Sequence, residues 1–375
     1  MRNRSEFKKA RRLVIKIGSS QLCEKEVISF DRFRALANQV AQIRRRGLEV
    51  VLVTSGAVAA GVGKLGLPSR PKTLILKQVC ASAGQVSLMT AWDKALAVFD
   101  LKCAQILLTA EDLADRRRFL NARNTMISLV EMGLIPIVNE NDTVAVEELK
   151  VGDNDSLGSM VASLVEADLF INLTDSDGLY ESDPRLDPQA ALLKEVSQVT
   201  EEILQKAGQG GPLGTGGMYT KVVAASRLSE RGLASLIANG RTRDVLVRLI
   251  DGEELGTFFT PSKHQRRAKK HWLAFAARPK GTLVIDPGAV EALVEKGKSL
   301  LPGGVTALNG LFDVGDPVTI ANANHQELGI GLANYSAPEV EKIKGQPSAQ
   351  IEALLGYSHC DEIIHRDNLV IFKAN

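Results

Sequence analysis

The sequence predicts an α/β protein in which a mainly parallel sheet is covered by helices on both faces and is followed by a small, mostly β second domain. Three observations predict it. Short β-branched runs alternate with helical patterns over the first 250 residues. Those runs are apolar on both faces, as strands buried between two helix layers must be. From about residue 280 the chain changes to short strands separated by Gly/Pro turns. At 375 residues the chain has room for two domains.

The elements follow in order. Leu13–Ile17 is a strand, and Phe33, Leu36, Ala37, Val40 and Ile43 then fall on one helical face that Gly47 stops. The next strand, Glu49–Thr54, runs straight into Ser55-Gly56-Ala57. Later strands are expected at Ala104–Leu108, Leu134–Val138, Asp168–Leu173 and Ala234–Ala238. Gly178–Pro184 breaks the rhythm as a hairpin or turn beyond the sheet. A helix is expected over Val222–Arg231, and an amphipathic one follows Gly152-Asp-Asn-Asp155. Residues 263–270 form a basic connector, and the second domain opens with the strand Thr282–Ile285.

Composition excludes several classes. With 45% hydrophobic and 24% charged residues and a net charge of +2, no global field points to nucleic acid or membrane. Cys23, Cys80, Cys103 and Cys360 form no C-x-x-C pair and read as reduced thiols, with no structural zinc. The basic N-terminus leads only into a short apolar run interrupted by Lys16, and no stretch reaches the roughly 20 apolar residues that cross a bilayer. A cytoplasmic protein with no membrane association is expected.

A phosphate-binding G-x-x-x-x-G-K-[ST] is absent. A literal G-x-G-x-x-G occurs at Gly61, Gly63 and Gly66, seven residues beyond the strand end where a dinucleotide site would need it, and with no acidic residue at the ribose offset. It reads as a helix C-terminus and loop. Stronger signals sit at strand ends, where open α/β sheets bind ligands: Lys16–Ser20, Thr54–Ala57, Asn139–Asp142 and Thr174–Gly178. Each alone reads as a turn; together they converge on one anion-lined crevice.

Lys16 lies inside an apolar strand, where burial is costly unless the ammonium is paired or meets an anion. Two readings stand open: an edge strand with Lys16 facing water, or a cation aimed at a transferring phosphate. Lys221 closes the glycine loop Gly214–Lys221, whose successive N–H groups suit phosphate oxygens. Asp153, Asn154 and Asp155 supply more than the following helix needs for a cap, and a carboxylate between two lysines would hold both in place.

The strings Val14–Ser19, Val53–Gly61, Phe119–Arg123, Asn139–Asp142, Lys150–Asp155, Leu173–Asp175, Gly178–Tyr180 and Gly214–Met218 resemble the glutamate 5-kinases of the amino-acid kinase family, in that family's order and over about residues 10–260. Tyr219 departs from the pattern, standing where Ser is common. Residues 280–358 resemble a PUA domain through Leu300–Gly303, Gly310–Asp316 and Gly329–Leu332.

The resemblance implies an αβα sandwich over 1–262, a linker over 263–279, and a PUA domain with a C-terminal tail over 280–375. It implies ATP-dependent phosphorylation of the L-glutamate side-chain carboxylate, the committing step towards proline, with Mg²⁺ accompanying ATP and no protein metal site. Lys16, Lys221 and Asp155 resemble catalytic residues; Ser55, Asp142 and Asn154 those that hold glutamate. Lys16, Thr174, Asp175, Thr215, Gly216, Gly217, Met218, Tyr219, Thr220 and Lys221 resemble ATP-binding residues. Inhibition by proline and a homo-oligomer, dimer or tetramer, are further expectations. Two alternatives stay open. One is a relative taking aspartate or N-acetylglutamate. The other is an RNA-binding protein acting through the PUA domain. Residues 280–358 hold five Lys, no Arg and nine acidic residues, the wrong sign for an RNA backbone.

Overall fold

A strand that is apolar on both faces is stable only inside a covered sheet, and β1 (Arg12–Ile17) occupies that position: Leu13, Val14, Ile15 and Ile17 are fully buried. The computed structural model describes residues 1–24, 26–145, 154–208, 217–262, 279–358 and 360–372. By packing, the chain divides into two compact units, Met1–Asp115 with Ala122–Lys263, and Arg116–Asn121 with His264–Asn375. The basic connector at 263–270 lies outside the described residues.

In the first unit, β1 is followed by a short hairpin of β2 (Cys23–Glu24) and β3 (Val27–Ile28). The strands β4 (Glu49–Thr54), β5 (Cys103–Leu108), β6 (Ile135–Glu140), β7 (Leu169–Thr174), β8 (Glu195–Val196), β9 (Ala234–Asn239) and β10 (Thr257–Phe259) complete it. Eight strands form one sheet in the order β5-β6-β4-β1-β7-β9-β10-β8, parallel except where β10 runs against β9. The helices are α1 (Phe30–Arg45), α2 (Ala57–Lys64), α3 (Leu74–Ala97), α4 (Ala110–Ala114), α5 (Arg116–Glu131, in this unit from Ala122 on), α6 (Asn154–Leu164), α7 (Glu201–Lys206), α8 (Met218–Glu230) and α9 (Val245–Ile250). On one face Leu13, Ile15, Leu52 and Ile171 pack with Phe33 and Val40 of α1, Trp92 of α3 and Leu246 of α9. Elsewhere Val222 and Ala225 of α8 pack with Ile237 and Phe259. Among the described residues no helix is long and apolar enough to cross a membrane.

Two boundaries differ from expectation by more than one residue. The strand expected at Leu134–Val138 is Ile135–Glu140, because Asn139 and Glu140 continue the ladder opposite Leu107 and Leu108. The helix expected from Val222 begins at Met218. Residues 218–221 are therefore its first turn, not loop. The Gly178–Pro184 turn is real, and its return arm pairs Tyr180 with Leu192.

Gly61 and Gly63 lie in α2 and Gly66, at φ 63°, in the turn that follows it, as expected for a helix C-terminus and loop. A Cβ on Gly61 would lie 1.8 Å from the Cys80 carbonyl oxygen, and one on Gly84 would lie 1.9 Å from the Ala57 carbonyl oxygen. Helices α2 and α3 thus touch backbone to backbone, which only glycine permits.

In the second unit the strands β11 (Gly281–Ile285), β12 (Val305–Gly310), β13 (Pro317–Asn322), β14 (Glu327–Leu332) and β15 (Leu369–Ile371) form a sheet in the order β12-β11-β13-β14-β15. Only β11 and β13 are parallel neighbours. Three short helices, α10 (Pro287–Val294), α11 (Ala337–Ile343) and α12 (Ile351–Leu355), accompany a separate core that includes Leu283, Ile285, Ile320, Tyr335 and Ile363. Asp286 caps α10 by accepting from the Ala289 N–H at 2.7 Å.

The close α2–α3 contact sets a prediction. Gly84→Ala should lower unfolding free energy by at least about 2 kcal/mol, since a methyl group has no room against backbone and overpacking costs this much or more. Chemical denaturation of the purified variant measures it; unchanged stability would mean that the two helices are not in backbone contact.

Candidate active site

Parallel pairing puts the strand ends level. Ile17 at the end of β1 is opposite Thr54 of β4 and Leu173 of β7, and Val53 is opposite Val138 of β6. Thr174 is opposite Asn239 at the end of β9. Four of the strand-end signals in the sequence therefore share one edge of the sheet.

Lys16 lies on a central strand and is 4% exposed, which removes the edge-strand reading. Its Nζ is 2.5 Å from Asp155 Oδ1, and Lys221 Nζ is 3.0 Å from Asp155 Oδ2. Asp155, in the first turn of α6, is wholly buried. Asn172 Nδ2 donates to Asp155 Oδ1 at 2.9 Å, and the Thr220 hydroxyl lies 2.9 Å from Oδ2. Burial pushes against ionisation of this carboxyl, but the ammonium groups of Lys16 and Lys221 and the hydrogen bonds from Lys16 and Asn172 outweigh it and hold it well below the usual carboxylate range.

Local sequence explains how α6 comes close enough. A Cβ on Gly158 would sit 2.9 Å from the Phe170 ring and 3.4 Å from Lys16 Cβ. Glycine at that position lets the first turn of α6 settle onto β1 and β7, so that the short Asp155 side chain reaches Lys16. Lys221 arrives from the first turn of α8, where Gly217 is the N-cap.

The preceding residue faces the other way. Asn154 Nδ2 lies 2.7 Å from Ser55 Oγ, 3.0 Å from the Thr54 carbonyl oxygen and 3.2 Å from Asn139 Oδ1. Asn154 Oδ1 is buried and has no partner among the described residues. Asp142 lies in the turn after β6, and burial pushes its carboxyl up to about 6. The first two residues of α6 thus join a lysine–carboxylate centre to a cluster of amide side chains at the ends of β4 and β6.

Thr174 is 6% exposed and its hydroxyl donates to Asp175 Oδ1 at 3.1 Å. Asp175 itself is exposed. Gly217, Met218, Tyr219, Thr220 and Lys221 open α8, with Tyr219 37% exposed. Thr215, Gly216 and the Lys150–Asp153 part of the acidic string lie outside the described residues.

Sequence reasoning missed three polar residues here. Asn172, 1% exposed in the middle of β7, is the Cα partner of Lys16 across the ladder. A polar residue in Leu169–Thr174, otherwise built of apolar residues up to Thr174, was the signal for it. Asn139 lies inside a string that was singled out, but its bonds depend on the strand continuing past Val138. Gln85 carries no local signal. Among the described residues no group of three His, Cys, Asp or Glu side chains is placed to hold a metal ion. All four cysteines are free thiols, and burial pushes those of Cys23, Cys103 and Cys360 up to about 11.

The sequence matches the amino acid kinase family over residues 11–239 and a PUA domain over residues 281–355. It is 48% identical over 364 residues to a protein of Syntrophotalea carbinolica called glutamate 5-kinase, covering 97% of this chain and 98% of that one. It is 49% identical over 367 residues to the glutamate 5-kinase of Citrifermentans bemidjiense, with 97% and 98% covered. A glutamate 5-kinase of Thermus thermophilus is 48% identical over 362 residues, with 96% and 97% covered.

Asp155→Asn should destabilise the protein by roughly 3–5 kcal/mol, because it keeps the shape but leaves two buried ammonium groups without their counter-charge. The pH dependence has a fixed sign. The folded pKa lies below the unfolded value of about 3.9, so the stabilisation is present above that value and is lost as pH falls through the folded one. Urea titrations at pH 7 and pH 3 measure both effects; a variant as stable as the parent at pH 7 would show that the bridge does not hold the site.

Proposed function

The chain belongs to the amino acid kinase family, and from this we propose that it transfers the γ-phosphoryl group of ATP to the side-chain carboxylate of L-glutamate, forming L-glutamyl 5-phosphate and ADP at the start of proline synthesis. The observation that carries the reaction is the buried Lys16–Asp155–Lys221 bridge at the strand ends. The identity of the phosphate acceptor rests on near full-length similarity to proteins called glutamate 5-kinase.

A carboxylate is already a nucleophile at neutral pH, so the reaction needs no general base. What it needs is in-line positioning and neutralisation of charge on the transferring group. Lys16 and Lys221 supply that neutralisation. Asp155 fixes their separation, and Asn172 and Thr220 fix Asp155. A buried, pre-set pair of cations spends no reorganisation energy when charge develops. Ser55, Asn154 and Asp142 hold glutamate, with the ionised Asp142 carboxylate facing its ammonium group. Thr174, Asp175 and the first turn of α8 hold the nucleotide, with Thr215 and Gly216 completing its phosphate loop. The divalent cation, Mg²⁺, would enter with ATP and add to this charge neutralisation; both Asp155 oxygens are already engaged by protein donors. Proline shares the α-carboxylate and a cationic nitrogen with glutamate but offers no second carboxylate, so it inhibits by occupying the same pocket.

The test is ADP release with glutamate, aspartate, N-acetylglutamate and UMP as acceptors. Glutamate alone should support turnover, and Lys16→Ala and Lys221→Ala should each lower kcat by about a hundredfold or more while KM values move little, the mark of a contact made in the transition state. Turnover on another acceptor in preference to glutamate would overturn the reading.

Asp142 gives a pH signature. Its carboxyl titrates at about 6 and must be ionised to pair with the substrate's ammonium group. Below that value kcat/KM for glutamate should fall by about tenfold per pH unit, since this parameter follows ionisations of the free enzyme. In Asp142→Asn the activity should be low and this limb flat. A parent profile with no inflection between pH 5 and 7 would remove Asp142 from the pocket.

A further inference from the structure

One edge of α3 presents Gln78, Ser82 and Gln85, spaced four and then three residues apart so that they form a single stripe. All three reach the end of β6 and the turn that carries Asp142. Gln78 Nε2 donates to the Ala145 carbonyl oxygen at 3.1 Å, the Ser82 and Thr143 hydroxyls are 3.0 Å apart, and Asn139 Nδ2 donates to Gln85 Oε1 at 2.8 Å. The stripe is held in register by Gly84, whose hydrogen-only side chain seats α3 against the Ala57 carbonyl oxygen of α2.

Gln85 closes a chain of three amides. Asn154 Nδ2 faces the Thr54 carbonyl oxygen at 3.0 Å, and a backbone carbonyl can only accept, so the sense of the Asn154 amide is set by the sheet. Asn139 must then turn its oxygen to Asn154 and its amino group to Gln85, and Gln85 must answer with Oε1. Every donor points the same way, from Asn154 through Asn139 to Gln85. Two buried atoms are left over at the ends, Asn154 Oδ1 as an acceptor and Gln85 Nε2 as a donor, neither with a partner among the described residues.

We infer that Gln85 is a positioning residue of the amino-acid pocket: by accepting from Asn139 it holds the Asn139 amide in the sense that matches the sheet-set Asn154 amide, leaving Asn154 Oδ1 to receive the ammonium group of glutamate. Without an acceptor at position 85, the buried Asn139 amino group is unpaired, and the amide is driven to rotate and compete for the contacts of Asn154. This rests on the proposed role of Asn154 as a glutamate-binding residue.

The test compares Gln85→Glu, which keeps an oxygen for Asn139, with Gln85→Met, which keeps the volume without one; Gln85→Ala gives the same readout if Gln85→Met melts early. Gln85→Met should raise KM for glutamate by about tenfold, the effect of one unpaired buried polar group, with KM for ATP and kcat close to the parent. Gln85→Glu should restore glutamate KM to within about threefold of the parent, as a conserved acceptor requires. A Gln85→Met enzyme with parental KM for glutamate overturns the inference, as does one in which glutamate and ATP parameters worsen together. Asn154→Ala, run alongside, separates the two readings. If it raises KM for glutamate and Gln85→Met does not, only the role of Gln85 fails. If it leaves KM unchanged, the pocket assignment fails and the relay with it.

Discussion

Asp155 is fully buried, so its charge persists because Lys16 and Lys221 stand beside it and Asn172 donates to it. Those lysines in turn are tolerated in the interior only because of Asp155. A buried ionic centre of this kind adds little net stability, since desolvation of three charged groups offsets their attraction. What it does is hold two ammonium groups at a set separation in a low-dielectric site. Much of the first unit can be read as the means of bringing those three residues together: β1 must be central, α6 must begin directly above it, and α8 must place its first turn alongside.

Packing against small residues makes that convergence possible. Gly158 lets α6 descend onto Phe170 and Lys16. The Gly61–Gly84 approach does the same for α2 and α3, and so determines where Ser55 at the head of α2 stands relative to Gln85 on α3. The two halves of the crevice are therefore coupled through neighbouring residues of one helix turn, with Asp155 reaching the cations and Asn154 the end of β4. Energetically the halves differ. One is ionic and depends on exclusion of water, whereas the other is a neutral amide network whose cost arises only when a member loses its partner.

Several features were legible in advance for reasons that are local. β-Branched runs apolar on both faces required a covered parallel sheet, and the small and polar strand-end residues do share one edge of it. The surplus Asp and Asn residues at 153–155 indicated a role beyond capping, and Asp155 does lie between two lysines. Other features were not legible because they depend on neighbours distant in the chain. Whether Lys16 faced water or protein could not be read from its own strand; β4 and β7 on either side answer it. The glycines before α8 make its first turn read as loop in sequence, although Gly217 is its N-cap. Gln85 looked like any polar residue on a long helix.

The sequence by itself determined the layer architecture, the division into an α/β part and a β-rich part, and which strand ends carry the small and polar residues, because periodicity and turn chemistry are properties of short segments. It also carried the family, because the strings that resemble it lie at those strand ends. Only the tertiary structure decided the partners: that one carboxylate serves two lysines from elements 66 residues apart or more, that Asn172 and Thr220 brace it, and that an amide chain runs from α6 to α3. The reason is physical. A hydrogen bond or ion pair has a length and a direction set by the packing of whole elements, and no residue type fixes those alone.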